Sequence, residues 1–121
     1  MKRKILLAAA LLLASPLSRG GEADVIDVKV ECPSDCTFHV TLRHADTGWD
    51  HYANQWEILT PDRKLIAKRV LYHPHVDEQP FTRSLSGVKI PLGVDKVIVR
   101  ARDKVHLYGG REMTVELPPR K

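Results

Sequence analysis

The sequence predicts an all-β fold in which antiparallel strands form a sandwich of two sheets. Apolar and polar residues alternate along short runs, and turn residues separate one run from the next. After residue 20, no run shows the spacing of an amphipathic helix. About seven short strands in roughly one hundred residues are typical of an immunoglobulin-like β-sandwich, which is the fold that we predict.

The first three strands are predicted from alternation around apolar residues. In residues 26–30, isoleucine and valines alternate with aspartate and lysine, and in residues 37–43 apolar side chains alternate with polar ones. Trp56 and Ile58 mark the third strand. The sequence TPDRK ends that strand, because proline and aspartate favour the centre of a turn.

The last four strands are also predicted from runs of apolar residues, and one of them contains a glycine. Residues 65–71 form the fourth strand, although the sequence does not show which of its faces is buried. Residues 85–90 form the fifth, with a kink expected at Gly87 because glycine inside a strand often marks a bend. Residues 96–102 and 113–117 give the sixth and seventh strands.

The first twenty residues have the pattern of a secretory signal peptide. Three basic residues at positions 2–4 precede an apolar run of ten residues at positions 5–14. That run is about half as long as a membrane-spanning helix requires. Small residues precede both Gly21 and Asp24, so that cleavage before either residue fits the pattern. We therefore expect a periplasmic or secreted protein without a membrane span in its mature form.

Residues 21–121 are predicted to form a single domain without net charge. Four of the nineteen lysines and arginines lie in residues 1–20, and all fifteen acidic residues follow them, which leaves fifteen of each sign. The excess of positive charge thus belongs to the targeting segment. Because no basic patch with interleaved aromatic residues remains, the sequence gives no reason to expect a nucleic-acid partner.

The two cysteines, Cys32 and Cys36 in ECPSDC, predict a local disulfide. Paired cysteines in an exported protein usually form such a bond. Because the ring would be small, its main role would be to fix a turn. A redox-active or copper-binding thiol pair is the alternative, although the spacing is not the Cys-x-x-Cys of many such sites.

Three long connections should meet at one end of the sandwich, because successive loops between alternating strands fall at alternate ends. These connections are residues 44–54, 72–83 and 103–111. They contain five of the six histidines, which are His44, His51, His73, His75 and His106. Long loops on a rigid sandwich are where binding and catalysis usually reside. We therefore predict the functional site at this end.

The histidines of these loops predict a transition-metal site. His73 and His75 flank a proline, which favours extended geometry and lets both rings project to the same side. Neutral imidazole is a common ligand of zinc, copper and iron. The alternative is a set of polar loop histidines with no shared role. The acidic residues nearby could orient imidazoles or pair with arginines at the loop bases; they are Asp46, Asp50, Asp77 and Glu78, with Arg43 and Arg83.

The stretch RHADTGWDHYANQWEIL resembles the iron-binding region of superoxide reductases, the desulfoferrodoxin iron domain. His44 and His51 stand in the places of ligating histidines, with Tyr52 and Trp56 in the matching aromatic places. The resemblance implies an immunoglobulin-like sandwich that holds ferrous iron through four histidines and an axial thiolate.

The stretch ARDKVHLYGG is similar to a second ligand segment of the same family. His106 stands in the place of a histidine, whereas Asp103 stands in the place of the axial cysteine. The early Lys-His-x-Pro segment of that family has no counterpart here, although His73 or His75 could supply a nitrogen from another loop. The resemblance thus implies a metal site in the same place, with Asp103 as an oxygen ligand, rather than superoxide reduction itself.

Two further resemblances concern residues 73–103. HPHVDEQPFTRSL is similar to a family of small exported bacterial proteins whose function is not assigned. EQPFTRSLSGVKIP and VIVRARD are similar to the sulfur-oxidation carrier subunit, a sandwich that docks partner proteins. We therefore predict an exported protein that binds a transition metal, with iron or copper favoured and zinc as a further candidate. The alternative function is a non-enzymatic module that docks a periplasmic protein partner.

Overall fold

A computed structural model describes residues 21–120 of the protein. Within that range the chain forms seven strands and no helix: β1 (Asp24–Glu31), β2 (Cys36–Arg43), β3 (Ala53–Leu59), β4 (Leu65–Val70), β5 (Phe81–Val88), β6 (Lys96–Asp103) and β7 (Met113–Glu116). The predicted all-β fold is confirmed. The same residues contain no helix that is long and apolar enough to cross a membrane. The predicted signal peptide, residues 1–20, lies outside the described residues.

The strands form two open antiparallel sheets. One sheet has the order β1-β2-β5, and the other has the order β4-β3-β6-β7. Within each sheet one pair of neighbours is distant in the sequence, β2 with β5 and β3 with β6, whereas the other neighbours are consecutive strands. In a constant-type immunoglobulin domain the fourth strand joins the first sheet, whereas here β4 pairs with β3 in the second sheet.

The core lies between the sheets and is built from the inward rows of the strands. Buried and partly exposed residues alternate along β2 and β6, as a strand with one solvated face requires. The inward residues are Cys36, Phe38, Val40 and Leu42 of β2 and Val97, Val99 and Ala101 of β6. Trp56 of β3 is fully buried among them. Burial of each large apolar side chain stabilises the fold by about 1.5–3 kcal/mol.

The β5 strand begins earlier than the sequence predicts and contains a bulge. It starts at Phe81 rather than at residue 85, because the polar residues after Phe81 pair with β2 on the solvent-facing side. Gly87 has φ of 69°, and the register of β2 and β5 shifts nearby. Glycine adopts this left-handed conformation readily, so that the kink expected at Gly87 is a β-bulge.

The disulfide between Cys32 and Cys36 is confirmed. It closes the connection from β1 to β2, and both cysteines are buried against the core. The disulfide cross-links the chain at the end of the sandwich that carries the short connections. The long connections lie at the opposite end.

The three long connections meet at one end, as predicted. The main-chain N–H of His75 donates to Asp46 Oδ2 at 2.7 Å, which joins the β4–β5 and β2–β3 connections. The main-chain N–H of Lys104 donates to the carbonyl of Tyr52 at 3.0 Å, which joins the β6–β7 connection to them. Asp24 pairs with Arg43, so that β1 also starts at this end and residues 21–23 lie beside the loops.

Candidate metal centre

His44 and Asp103 face each other across the end of the core because each continues an inward row. His44 follows Leu42 by two residues, and Asp103 follows Ala101 by two residues. The period of two therefore turns both side chains inward from opposite sheets. Both side chains are fully buried, with His44 Nε2 at 3.7 Å from Asp103 Oδ2.

His51 reaches the same place because of an irregularity in β3. The register of β3 and β6 shifts between Ala53 and Gln55, which makes Asn54 an extra residue. Trp56 and Ala53 are both fully buried, although they are three residues apart. The extra residue thus moves the inward row from Trp56 to Ala53 and then to His51. Without it, the alternation would point His51 toward the other face of the sheet.

The three side chains bring their ligand atoms together. One ligand atom from each of His44, His51 and Asp103 lies within 4.8 Å of the others. His51 Nε2 is 3.3 Å from Asp103 Oδ1, and the rings of the two histidines meet edge-on with centroids 4.8 Å apart. The cluster could therefore hold a metal ion.

Three buried atoms of this cluster have no hydrogen-bond partner among residues 21–120, namely Nε2 of His44, Nε2 of His51 and Oδ2 of Asp103. A buried polar atom without a partner costs about 1–3 kcal/mol. Imidazole nitrogens and carboxylate oxygens that converge on one point are donors that can coordinate a cation. This donor set therefore fits a metal ion.

Asp46 fixes the orientation of His44. Its Oδ1 accepts a hydrogen bond from His44 Nδ1, and it also accepts one from the main-chain N–H of Ala53 at 3.1 Å. Because an ionised carboxylate can only accept, the neutral form of His44 carries its proton on Nδ1 and directs the lone pair of Nε2 toward the cluster. Metal-ligating histidines are typically oriented by such a carboxylate.

The pKa values of this pair follow from burial and from their mutual contact. Burial alone lowers the pKa of His44, but the hydrogen bond and charge of Asp46 and the charge of Asp103, with a smaller contribution from the main chain of Gly21, raise it above its usual value. Burial likewise raises the pKa of Asp46, but the hydrogen bonds from His44 and from the main chain of His75 and Ala53 lower it below its usual value. Asp46 therefore remains a carboxylate.

His106 lies at the solvent side of the cluster. Its Nδ1 is 3.2 Å from Asp103 Oδ1, and its ring centroid is 4.9 Å from that of His51. Asp103 Oδ1 also accepts the main-chain N–H groups of Val105 and His106. These bonds hold the β6–β7 connection against the carboxylate and leave its Oδ2 for the cluster.

The rings of His73 and His75 lie outside this cluster. The His75 ring stacks on Phe81 with centroids 4.0 Å apart, and its Nδ1 donates to Glu78 Oε1 at 3.0 Å. The guanidinium of Arg83 lies 3.5 Å from His75 Nε2 and would repel a cation bound there. His75 contributes to the centre through its main-chain N–H, which binds Asp46. His73 is exposed.

Gln79 and Gly21 lie near the centre, and hydrophobic periodicity in the sequence does not predict either of them as a site residue. The side-chain oxygen of Gln79 accepts the main-chain N–H of His44 at 2.9 Å, and its amide donates to the carbonyl of His75 at 2.9 Å. Gln79 thus ties two of the long connections together beside His44. Gly21 lies against the rings of His51 and His106.

The fold and the cluster place a largely buried group of two histidines and one aspartate at one end of an all-β sandwich. Among curated proteins, the chain is similar to a "Putative lipoprotein" of Halomicrobium mukohataei, with 39% identity over 97 residues that cover 78% of this chain and 47% of the relative. The chain thus spans about half the length of that relative. No protein-family model and no solved structure match the chain. The resemblances to superoxide reductases and to the sulfur-oxidation carrier subunit therefore stay predictions.

Proposed function

We propose that the protein is an exported metal-binding protein that holds a transition-metal ion through His44, His51 and Asp103, with His106 as a further ligand. One observation carries the proposal: three buried donor atoms, without a hydrogen-bond partner in the part of the chain that the structure describes, converge on one point. Two of the donors are imidazole nitrogens. Calcium and magnesium prefer oxygen ligands throughout, whereas imidazole suits zinc, copper, iron and nickel.

The donor set narrows the choice of metal. Two histidines and one carboxylate with open positions are typical of non-haem iron(II) centres, and the same donors bind zinc in several hydrolases. We favour iron or copper, which would make the centre redox-active, with zinc as the structural alternative. Asp103 would supply an oxygen where superoxide reductases have a thiolate, so that the metal would have different electronic tuning.

Export is supported by three features. Residues 1–20 have the composition of a signal peptide. Both cysteines of the sequence form a disulfide, which persists in oxidising compartments. The similar protein of Halomicrobium mukohataei is named "Putative lipoprotein", a name that implies export. We therefore propose a periplasmic or extracellular location.

Metal analysis of the untagged protein, followed by titration with iron(II), copper(II) and zinc(II), tests the proposal. The protein should bind a single ion, and H51A should weaken binding by more than about 10–100-fold. Replacing a group that only orients a metal ligand already costs that much, and His51 would be a ligand itself. H73A is the matched control, because His73 is an exposed histidine of the same end that lies outside the cluster. If the purified protein holds none of these metals and takes up none on titration, it is not a metal-binding protein.

A second candidate function, docking of a periplasmic protein partner, is favoured by the exposed apolar side chains of the same end. Five of the seven large apolar residues that are exposed within residues 21–120 belong to the three long connections: Trp49, Tyr72, Val76, Val105 and Leu107. The two aromatic residues are 62% and 74% exposed, and aromatic side chains often anchor protein interfaces. A docking module should retain a purified partner after chelation of metal and release it when Trp49 is replaced by serine. Release by chelation instead would assign the interaction to the metal centre.

A further inference from the structure

The start of the described chain is fastened against the candidate metal centre. The main-chain N–H of Val25 donates to the carbonyl of Arg111 at 2.8 Å, and the main-chain N–H of Arg111 donates to Asp24 Oδ1 at 2.7 Å. A Cβ atom on Gly110 would lie 1.8 Å from the carbonyl oxygen of Ala23, so that only glycine permits this close approach. Residues 21–25 are therefore held beside the β6–β7 connection, which carries His106.

Gly21 itself lies against two rings of the centre. A Cβ atom built on Gly21 would be 3.0 Å from His51 Cε1, 3.3 Å from His106 Cε1 and 3.6 Å from His51 Nε2. Two bonds of about 1.5 Å separate such a Cβ from the Gly21 nitrogen, which places that nitrogen within about 6 Å of His51 Cε1. Gly21 has φ of 88°, a conformation that a residue with a side chain would adopt only under strain.

Gly21 is also the first residue after one of the two cleavage sites that the signal sequence allows. Hydrolysis of the peptide bond between Gly20 and Gly21 by a signal peptidase adds one water molecule, leaving a carboxylate on the leader and an α-amino group on Gly21. A peptide nitrogen cannot donate its lone pair, because the lone pair is delocalised into the carbonyl. The nitrogen of a free amine can donate its lone pair to a metal ion.

We propose that the mature protein begins at Gly21 and that its α-amino group is a ligand of the metal centre beside His51 and His106. This inference rests on the proposed metal-binding function and adds a requirement for maturation. The precursor would offer only the side-chain donors, and cleavage would complete the ligand set. The centre would then acquire its full affinity only after export, when the leader has been removed.

Intact mass analysis of the exported protein, produced from its complete gene, tests the first half of the inference. The expected mass is that of residues 21–121 with the disulfide formed. A mature chain that begins at Asp24 would overturn the inference, because Gly21 would then be absent.

Metal affinity of two forms of residues 21–121 tests the second half. This chain retains every strand, since β1 to β7 lie between Asp24 and Glu116. One form has the free α-amino group of Gly21, and the other is acetylated at that nitrogen only. Titration with copper(II) and with zinc(II) should give affinity for the acetylated form that is weaker by about tenfold or more, since even outer-shell changes cost about that much at metal sites. The metal-free forms should unfold at the same temperature, which shows that acetylation leaves the fold intact.

The outcomes separate the inference from the function on which it rests. Equal affinity of the two forms would overturn the α-amino ligand and leave the histidine and aspartate centre in place. If neither form binds metal, both proposals fail. A chain with one alanine added before Gly21 provides a second check, because its amine is displaced by a full residue and should behave like the acetylated form.

Discussion

Replacing Asp46 with asparagine should loosen the metal end of the sandwich, because this carboxylate accepts from two of the long connections. Its Oδ1 accepts from His44 Nδ1 and from the main chain of Ala53, and its Oδ2 accepts from the main chain of His75. Asparagine keeps one of the two acceptor oxygens and replaces the other with an NH₂ donor. At least one buried N–H group must then face a donor instead of an acceptor.

The cost of D46N can be worked out from these bonds. A buried donor without an acceptor costs about 1–3 kcal/mol, and a hydrogen bond to a charged group contributes about 1.5–3 kcal/mol. We expect the free energy of unfolding to fall by about 2–4 kcal/mol, which leaves a folded protein if the total is about 5–15 kcal/mol. For a domain of about one hundred residues, such a loss lowers Tm by roughly 10–30 °C.

The same substitution should weaken metal binding, because His44 would lose the partner that fixes its tautomer. Changes in such orienting carboxylates typically cost about 10–100-fold in metal affinity. Urea unfolding followed by tryptophan fluorescence gives the stability, since Trp56 is fully buried in the fold. Isothermal titration with zinc(II) or copper(II), under conditions where the variant is folded, gives the affinity.

D35N is the matched control for D46N. Asp35 lies at the opposite end, where it forms an exposed ion pair with Lys89 at 3.0 Å. Exposed pairs contribute about 0–1 kcal/mol, so that D35N should change neither stability nor affinity appreciably. Stability of D46N within about 0.5 kcal/mol of the wild type, the range of ordinary surface substitutions, would refute the hydrogen-bond reasoning. Reduced stability with unchanged affinity would refute the role of Asp46 in orienting His44.

Four other outcomes are expected. Saturation with the bound metal at about 100 times its dissociation constant should add about 2.7 kcal/mol to the stability, and a chelator should abolish the resulting rise in Tm; an unchanged Tm would argue against binding to the folded state. The pKa of Asp46 is lowered from 3.8 in the folded protein, so that its contribution to stability is present above about pH 4 and is lost as the pH falls through that lower pKa. The difference in unfolding free energy between metal-free wild type and D46N should therefore disappear in acid. G110A should destabilise the protein by about 1–3 kcal/mol through its clash with Ala23, whereas G109A meets only the flexible side chain of Glu22, and equal melting temperatures would contradict the close approach. Replacing both cysteines with alanine should cost about 2 kcal/mol in urea unfolding, as expected for a small ring, and a loss above about 4 kcal/mol would show that the bond does more than restrict the unfolded chain.

The strands of this protein could be predicted because each one carries a clear period of two. All seven appear in the structure near their predicted positions, and the histidine-bearing loops share one end. Two site residues could also have been placed by extending this reasoning. His44 continues the inward row of Leu42, and Asp103 continues that of Ala101, so that their directions were encoded in the strands that precede them.

The rest of the centre could not be predicted from the pattern. The direction of His51 depends on the bulge at Asn54, and a polar residue before Trp56 gives no sign of an irregular register. The rings of His73 and His75 lie side by side, as their spacing predicts, with centroids 4.8 Å apart. The His75 ring stacks on Phe81 and lies outside the cluster, which the spacing does not reveal. Tertiary contacts determine these side-chain directions, and the local spacing of residues does not reveal such contacts.

The convergence of His44 and Asp103 has a mechanical consequence. His44 extends β2 in one sheet and Asp103 ends β6 in the other, so that an ion bound to both would join the two layers. In antibody domains, a disulfide between the second and sixth strands joins the two sheets in the middle of the core. Here the disulfide is confined to one turn, and the corresponding cross-link would be a reversible coordination bond at the end of the sandwich. Pulling the sheets apart would then require release of the ion, which couples resistance to force and to proteolysis with metal supply.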